Sequence, residues 1–457
     1  MVTPDQMTTA PAVGPLPPLR TPVLHRFVLS NALEVVVIPR HAAPIVSMTL
    51  MLRGGADAEP ARLCGLASLT AEMMDEGAGD RSALTLAADL EQLGADLWLG
   101  AGRDGSQLNV QVPRKTFEAA LAIAGDVLMR PRLEASDWER VQHDRLTALA
   151  QRRDQPEGVA NVVADRVLYG EGHPYGQPSE GLEATVQAMA LSDIAQFHAS
   201  QWRPNNAALI VGGDVDLDAL PGQLERAFGA WSPAAIPVVP TAGRPGQPPR
   251  LVLVDRPDAP QSIIRIVAPG LPRLSPERTA LRMLNAVLGG SFTSRLNFNL
   301  REQKGYTYGA SSSFSFMRHA GSFSARAAVL TEVTAPSVTE FLNELRDISQ
   351  RPITPDELTK ARATLLGRAA ETLSTTAGLT ATYGEIRLYD LPLDEPGRFV
   401  AQLAENDAAS LQALAARHID AARVGIVVVG NRAVIEPELR ALGLPAPQLR
   451  GPDGDPL

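Results

Sequence analysis

The chain has 457 residues, 45% of them apolar and 20% charged, with a net charge of −9. That length allows two to four domains with a large buried core, and the composition is that of an ordinary soluble globular protein. The acidic balance argues against nucleic acid as the main partner, because phosphate binding needs clustered basic side chains; the single cysteine, Cys64, excludes an internal disulfide and a cysteine-based zinc site.

Residues 1–23 are rich in Pro, Thr and Ala and have no apolar stretch flanked by positive charge, so they read as a disordered tail and not as a secretion signal. No run approaches the roughly 20 apolar residues that span a bilayer. The expected location is cytoplasmic, without membrane contact, or periplasmic if a leader was removed before this numbering. The Val/Ile run at 35–38 predicts a strand, and residues 59–76 predict a helix with Leu63, Leu66, Leu69 and Met73 on one apolar stripe. Residues 106–112 alternate as a half-buried strand does. Residues 136–151 and 355–373 predict amphipathic helices, with Asp137 and Asp356 suited to their N-termini. Between Trp231 and Arg250 stand six prolines, which neither a helix nor a central strand tolerates, so this segment reads as an extended linker.

The two halves echo each other. The run Val-Val-Val-Ile-Pro-Arg-His-Ala-Ala-Pro ending at Pro44 is matched by Leu-Val-Leu-Val-Asp-Arg-Pro-Asp-Ala-Pro ending at Pro260. The strand-like run ending at Gly212 is matched, at nearly the same separation, by one ending at Gly430. Two similar separations bracketing a long span indicate a duplicated unit. Strands and helices that do not strictly alternate point to an α+β class, with helices layered on a sheet. The expected organisation is a tail (1–23), an N-terminal lobe (24–231), a Pro-rich linker (232–250), a C-terminal lobe (251–440) and a C-terminal tail (441–457). Each lobe is a duplicated α/β sandwich-like unit, and the two homologous lobes face each other as a clam shell.

The 59–76 helix places Ser68, Ala71 and Glu72 at i, i+3 and i+4, on a common face. That is the spacing of a His-x-x-Glu-His metal helix, filled with other side chains. Serine is a poor zinc ligand, alanine is none, and zinc takes three or four protein ligands. Glu72 by itself reads equally as a solvated or hydrogen-bonded acid.

Residues 65–74, Gln-Arg-Arg-Asp-Gln-Pro at 151–156, Gly-His-Pro-Tyr-Gly at 172–176 and Leu-Gly-Gly-Ser-Phe-Thr-Ser-Arg-Leu at 288–296 resemble the pitrilysin or insulinase-type zinc peptidases. That family includes the mitochondrial processing peptidase and its bacterial two-subunit relatives, and it too has two homologous halves. The resemblance covers about residues 24–440, in order. It implies a third zinc ligand, a glutamate, at the position held here by Ala148. All three ligand positions and the base position, Ala71, then lack the required groups. The resemblance also implies that Leu-Arg-Glu-Gln-Lys-Gly-Tyr-Thr-Tyr at 300–308 is the substrate-contacting segment, with Arg301 and Tyr308 as its pair and Tyr306 a further contact if the segment is a strand. From the residues alone, an arginine ending a helix and tyrosines in a strand core remain an open alternative.

The resemblance implies a subunit inactive alone, binding no metal cofactor itself. A homologous zinc-bearing partner forms the heterodimer, and Arg301 and Tyr308 hold peptide substrates in its active site. The alternative is a structural core-type subunit of a larger complex, with no role in proteolysis.

Overall fold

The computed structural model describes residues 21–457 apart from Pro240, Thr241 and Asp258; most of the tail expected over 1–23 lies outside the described residues. Two six-stranded mixed sheets organise the chain. The first runs, from edge to edge, His25–Val28, Glu34–Pro39, Ala207–Gly213, Ile45–Arg53, Gly105–Pro113 and Asp96–Ala101. The second runs Gln448–Leu449, Leu251–Asp255, Gly425–Gly430, Gln261–Gly270, Gly321–Leu330 and Ala310–Phe316. The strands that echo each other in sequence hold the same places in the two sheets, and in each sheet they pair in parallel. The fold is α+β with two lobes of one topology. Between them, the described part of 232–250 forms neither helix nor strand.

Alternation along the strands explains why their sequences are apolar throughout. Val35 and Val37 point into the first lobe's own helical layer, with Leu121, Leu128 and Phe228. Val36 and Ile38 point to the opposite face. A strand buried on both faces must carry apolar residues at every position. The cover on that second face comes from the other half of the chain. Leu379, Tyr383 and Ile386 of helix Thr376–Leu388 pack on Val36, Ile38 and Ile210. Reciprocally, Val159, Val163 and Leu168 of helix Pro156–Tyr169 pack on Val252, Val254 and Val427 of the second sheet. Each lobe therefore lends one helix to its neighbour. Each fully buried Val, Leu or Ile contributes about 1.5–3 kcal/mol, so the exchange locks the lobes by their apolar cores.

A polar contact adds to this lock. The tip of the hairpin joining Asp96–Ala101 to Gly105–Pro113 carries the buried Asp104. Its carboxylate accepts the Arg318 N–H at 2.9 Å, the Tyr389 hydroxyl at 2.8 Å and the Tyr175 hydroxyl. Arg318 sits at the tip of the equivalent hairpin in the second lobe, so the two tips meet. Gly105 has no room for a Cβ, which would lie 2.5 Å from Leu52 O and 2.7 Å from Leu388 Cδ1.

The segment from 441, expected as a tail, is packed instead. Gln448–Leu449 extends the second sheet, and Asp453 beyond it takes Arg152 at 3.2 Å and Arg153 at 2.9 Å from the first lobe's helix Ala135–Asp154. The cause is charge: the two arginines lie side by side, and the 10%-exposed Asp453 carboxylate neutralises them.

Candidate functional site

The helix expected over 59–76 is shorter, Leu66–Met74. Pro60 and Gly65 break the stretch before it, and Gly65 takes φ +97°, a left-handed conformation open to glycine. The half-buried Glu59 carboxylate then receives the N–H groups of Gly65 at 3.0 Å and Ala67 at 2.7 Å, satisfying the helix start. Cys64, 2% exposed, donates to Pro178 O, and burial pushes its thiol up to about 12, so it packs as an inert side chain.

Ser68 and Glu72 lie together as expected, but Ala71 does not join them; it is 1% exposed and packs in the first lobe's core. What fills the space in front of Ser68 and Glu72 is Arg145, from the helix Ala135–Asp154. Its guanidinium donates to Ser68 Oγ at 2.8 Å, to Glu72 Oε2 at 2.6 Å and to Glu180 O at 2.8 Å. Ala148, further along the same helix, is exposed. A fixed organic cation thus sits where the His-x-x-Glu-His arrangement would hold a metal. Among the described residues no group of three His, Cys, Asp or Glu side chains converges to bind a metal ion. The residues do not fit zinc, and Glu72 is the counter-ion of Arg145. Sequence reasoning missed Arg145; the signal was an unexplained carboxylate on a helix face otherwise emptied of charge. Arg145→Ala is expected to cost about 1–2 kcal/mol, because Glu72 is 39% exposed and can turn to water, and to confer no zinc binding. Thermal melting with metal analysis checks both.

The second segment is built from Gly289 onward. A short helical turn, Arg295–Asn297, runs into a π-helical turn, Phe298–Gln303, that carries Arg301. Widened turns of this kind re-aim side chains and occur often at functional sites. Asn297, 5% exposed, donates to Phe292 O at 2.7 Å and accepts the Ala310 N–H at 3.0 Å, tying the segment to the strand that follows. Arg301 stacks on the Phe292 ring at 4.7 Å and lies 3.4 Å from Glu302. Tyr308 is 93% exposed.

The strand expected through Tyr306 and Tyr308 begins only at Ala310. Thr307 Oγ1 donates to Ala328 O at 2.7 Å and receives the Gly309 N–H, so a side chain takes bonds that a strand would make with its backbone. In consequence Tyr306 packs against the second lobe's core and does not share a face with Tyr308.

Arg295 holds the segment from below. It is 5% exposed and binds Glu357 with two bonds, 2.7 and 2.9 Å, while Glu357 caps the helix Pro355–Ser374 through Thr354. Burial alone would raise the Glu357 carboxyl; the Arg295 guanidinium and the Thr354 N–H outweigh it and hold it at about 2, against an ordinary 4.5. A depressed folded-state pKa gives stability above pH 4.5 that is lost as pH falls towards 2. Glu357→Gln is expected to lower stability at neutral pH and to flatten the acid limb in that window, read by urea unfolding as a function of pH.

Two family models match the chain: residues 34–168 match the insulinase family, peptidase family M16, and residues 188–365 match the M16 inactive domain. The chain belongs to the M16 peptidase family. An uncharacterised zinc protease of Mycobacterium tuberculosis is 26% identical over 440 residues, covering 94% of this chain and 99% of that relative. The non-peptidase homologue YmxG of Helicobacter pylori is 23% identical, over 89% of this chain and 94% of its own length. The crystal structure of an M16 inactive domain from Pseudomonas fluorescens superposes with a TM-score of 0.83 at 22% identity, over 89% of this chain and 98% of that one, and so shares the fold. Within this M16 chain Glu72 is closed off by its ion pair with Arg145, while Tyr308 is exposed and Arg301 is half-buried against Phe292.

Proposed function

We propose that this chain is the non-catalytic, substrate-holding member of a two-chain zinc metallopeptidase. One observation carries the reading: Arg145 is bonded to both Ser68 and Glu72, where the resemblance would put the metal, whereas Tyr308 stands 93% exposed. The match to an M16 inactive domain and the likeness to a relative named a non-peptidase homologue support it. A homologous zinc-bearing chain supplies the metal, the water and the glutamate base. This chain contributes a guanidinium and a phenol, both hydrogen-bond donors suited to a peptide carbonyl oxygen. Contact through the backbone makes recognition tolerant of sequence.

The test is reconstitution with a homologue that has an intact His-x-x-Glu-His. Peptide cleavage and zinc content are measured for each chain alone and for the mixture. The expected result is no cleavage and no stoichiometric zinc from this chain alone, and cleavage by the mixture well above that of the partner alone. Zinc-dependent proteolysis by this chain alone refutes the proposal; mixing without effect leaves a scaffold role in its place.

A further inference from the structure

The second lobe contains a cleft with more positive charge than it can neutralise. Four arginines line it, Arg273, Arg278, Arg282 and Arg368, against two carboxylates, Glu385 and Glu395. Arg278 pairs with Glu395, Arg273 with Glu385 at 2.8 Å, and Arg368 donates to Gly290 O at 2.9 Å. Arg282 is left over. It lies over the Phe399 ring at 4.7 Å, and among the described residues no carboxylate is within 4.0 Å of it. Its side chain is accessible to solvent yet sits in a concave site. The like charges of Arg273 and Arg368 bear on it, opposed by the Glu385 carboxylate. Like charges crowded in a cleft raise the free energy of the empty state and favour an anion that relieves it. In a chain of net charge −9, this local excess stands out.

The shape adds a second requirement. The cavity is about 210 Å³, and Leu373, Ile386, Leu391 and Phe399 form part of its wall. An apolar wall beside guanidinium groups suits an anion attached to a hydrocarbon stem better than a hydrated inorganic ion. A smaller adjoining cavity of about 130 Å³ shares Arg282 and Arg368 and reaches Gly290, Ser313 and Phe314. Ser313 and Phe314 belong to Ala310–Phe316, the edge strand of the second sheet, whose Ala310 and Ser312 backbone groups are already taken by Asn297, Gly289 and Asn285. Gly290 lies close in the chain to Phe292, on which Arg301 stacks. The two cavities adjoin at Arg282 and Arg368.

We infer that this cleft binds a carboxylate of a peptide, with the apolar side chain next to it seated against Phe399 and Leu391. Planar, two-pronged guanidinium recognition favours a carboxylate. The inference takes its ligand class from the proposed peptide-holding role, but its test uses this chain alone and needs neither a zinc partner nor turnover.

Fluorescein-labelled hexapeptides are titrated against the full chain at physiological salt, with anisotropy as the readout. One pair ends in leucine as the free acid or as the amide; another pair, both amides, carries glutamate or glutamine before that leucine. The acid form of at least one pair is expected to bind about tenfold or more tightly than its neutral counterpart. A difference in the first pair assigns the terminal carboxylate, and a difference in the second assigns a side-chain carboxylate. Arg282→Gln should erase the difference, Arg282→Lys should restore part of it, and a substitution of an exposed first-lobe arginine, Arg226→Gln, should leave it intact. Equal binding within both pairs overturns the inference. So does an unaffected Arg282→Gln variant, or displacement of the acid peptide by equimolar inorganic phosphate. Failure of reconstituted proteolysis would not touch this assay, so the two proposals fail separately.

Discussion

Arg301→Ala in the reconstituted two-chain enzyme is expected to lower kcat/KM by about 10²–10³-fold, and Tyr308→Phe by a comparable factor, as when one donor is removed from a developing oxyanion. The phenylalanine variant isolates one hydroxyl and keeps the ring. Tyr308 is 93% exposed, so its substitution should change stability by no more than about 0.5 kcal/mol, and lost activity cannot be blamed on unfolding. If both donors reach the same carbonyl oxygen, the double variant should lose less than the product of the single effects. Zinc content and pairing of the chains should be unchanged. Arg301 brings one further condition: its stacking on Phe292 sets its direction, so Phe292→Ala should reproduce part of the loss while Phe292→Tyr should not. Normal turnover by Arg301→Ala or by Tyr308→Phe would remove the assigned role.

The duplicated fold was legible because the strands that echo each other are buried on both faces. Such runs keep Val and Ile at nearly every position, and the separation between matching runs is almost the same at both ends of the repeat. The same double burial hid its own cause. A run such as Val35 to Ile38 shows that a second layer exists, but not that helix Thr376–Leu388, far along the chain in the other half, provides it. Local errors had local causes. Pro60 and Gly65 delay the metal-type helix to Leu66, and Thr307 side-chain bonds delay the strand after Arg301 to Ala310. That Ser68, Ala71 and Glu72 are not a His-x-x-Glu-His set was plain in the sequence; the partner of Glu72 was not. Arg145 lies just before the expected ligand position, Ala148, on the same helix, and only the packing of two helices shows that it reaches Ser68 and Glu72.

The exchange of helices means that the lobes should not unfold independently, and Asp104 offers the sharpest test. Its carboxylate is 3% exposed and gathers three donors: Tyr175 from its own half, and Tyr389 and the Arg318 N–H from the other. Asp104→Ala leaves all three without an acceptor in a space closed by Gly105, Leu52 and Leu388. An unpaired buried donor costs about 1–3 kcal/mol, so the total is expected to be on the order of 3–6 kcal/mol. Tyr389→Phe removes one donor and leaves the carboxylate its other two, so about 1 kcal/mol should be lost. Asp104→Asn keeps one acceptor oxygen and should fall between the two. Urea unfolding followed by two probes, tryptophan fluorescence and circular dichroism, reads both the loss and its cooperativity. All four tryptophans, Trp98, Trp138, Trp202 and Trp231, lie in the first half, so fluorescence follows that lobe while circular dichroism follows the whole chain. Coincident transitions shifted together are expected, because the helix that covers each sheet leaves with the other lobe. A variant that shifts the fluorescence transition alone would show that the exchanged helices do not couple the lobes, and a shift worth less than about 1 kcal/mol would show that the two hairpin tips merely touch.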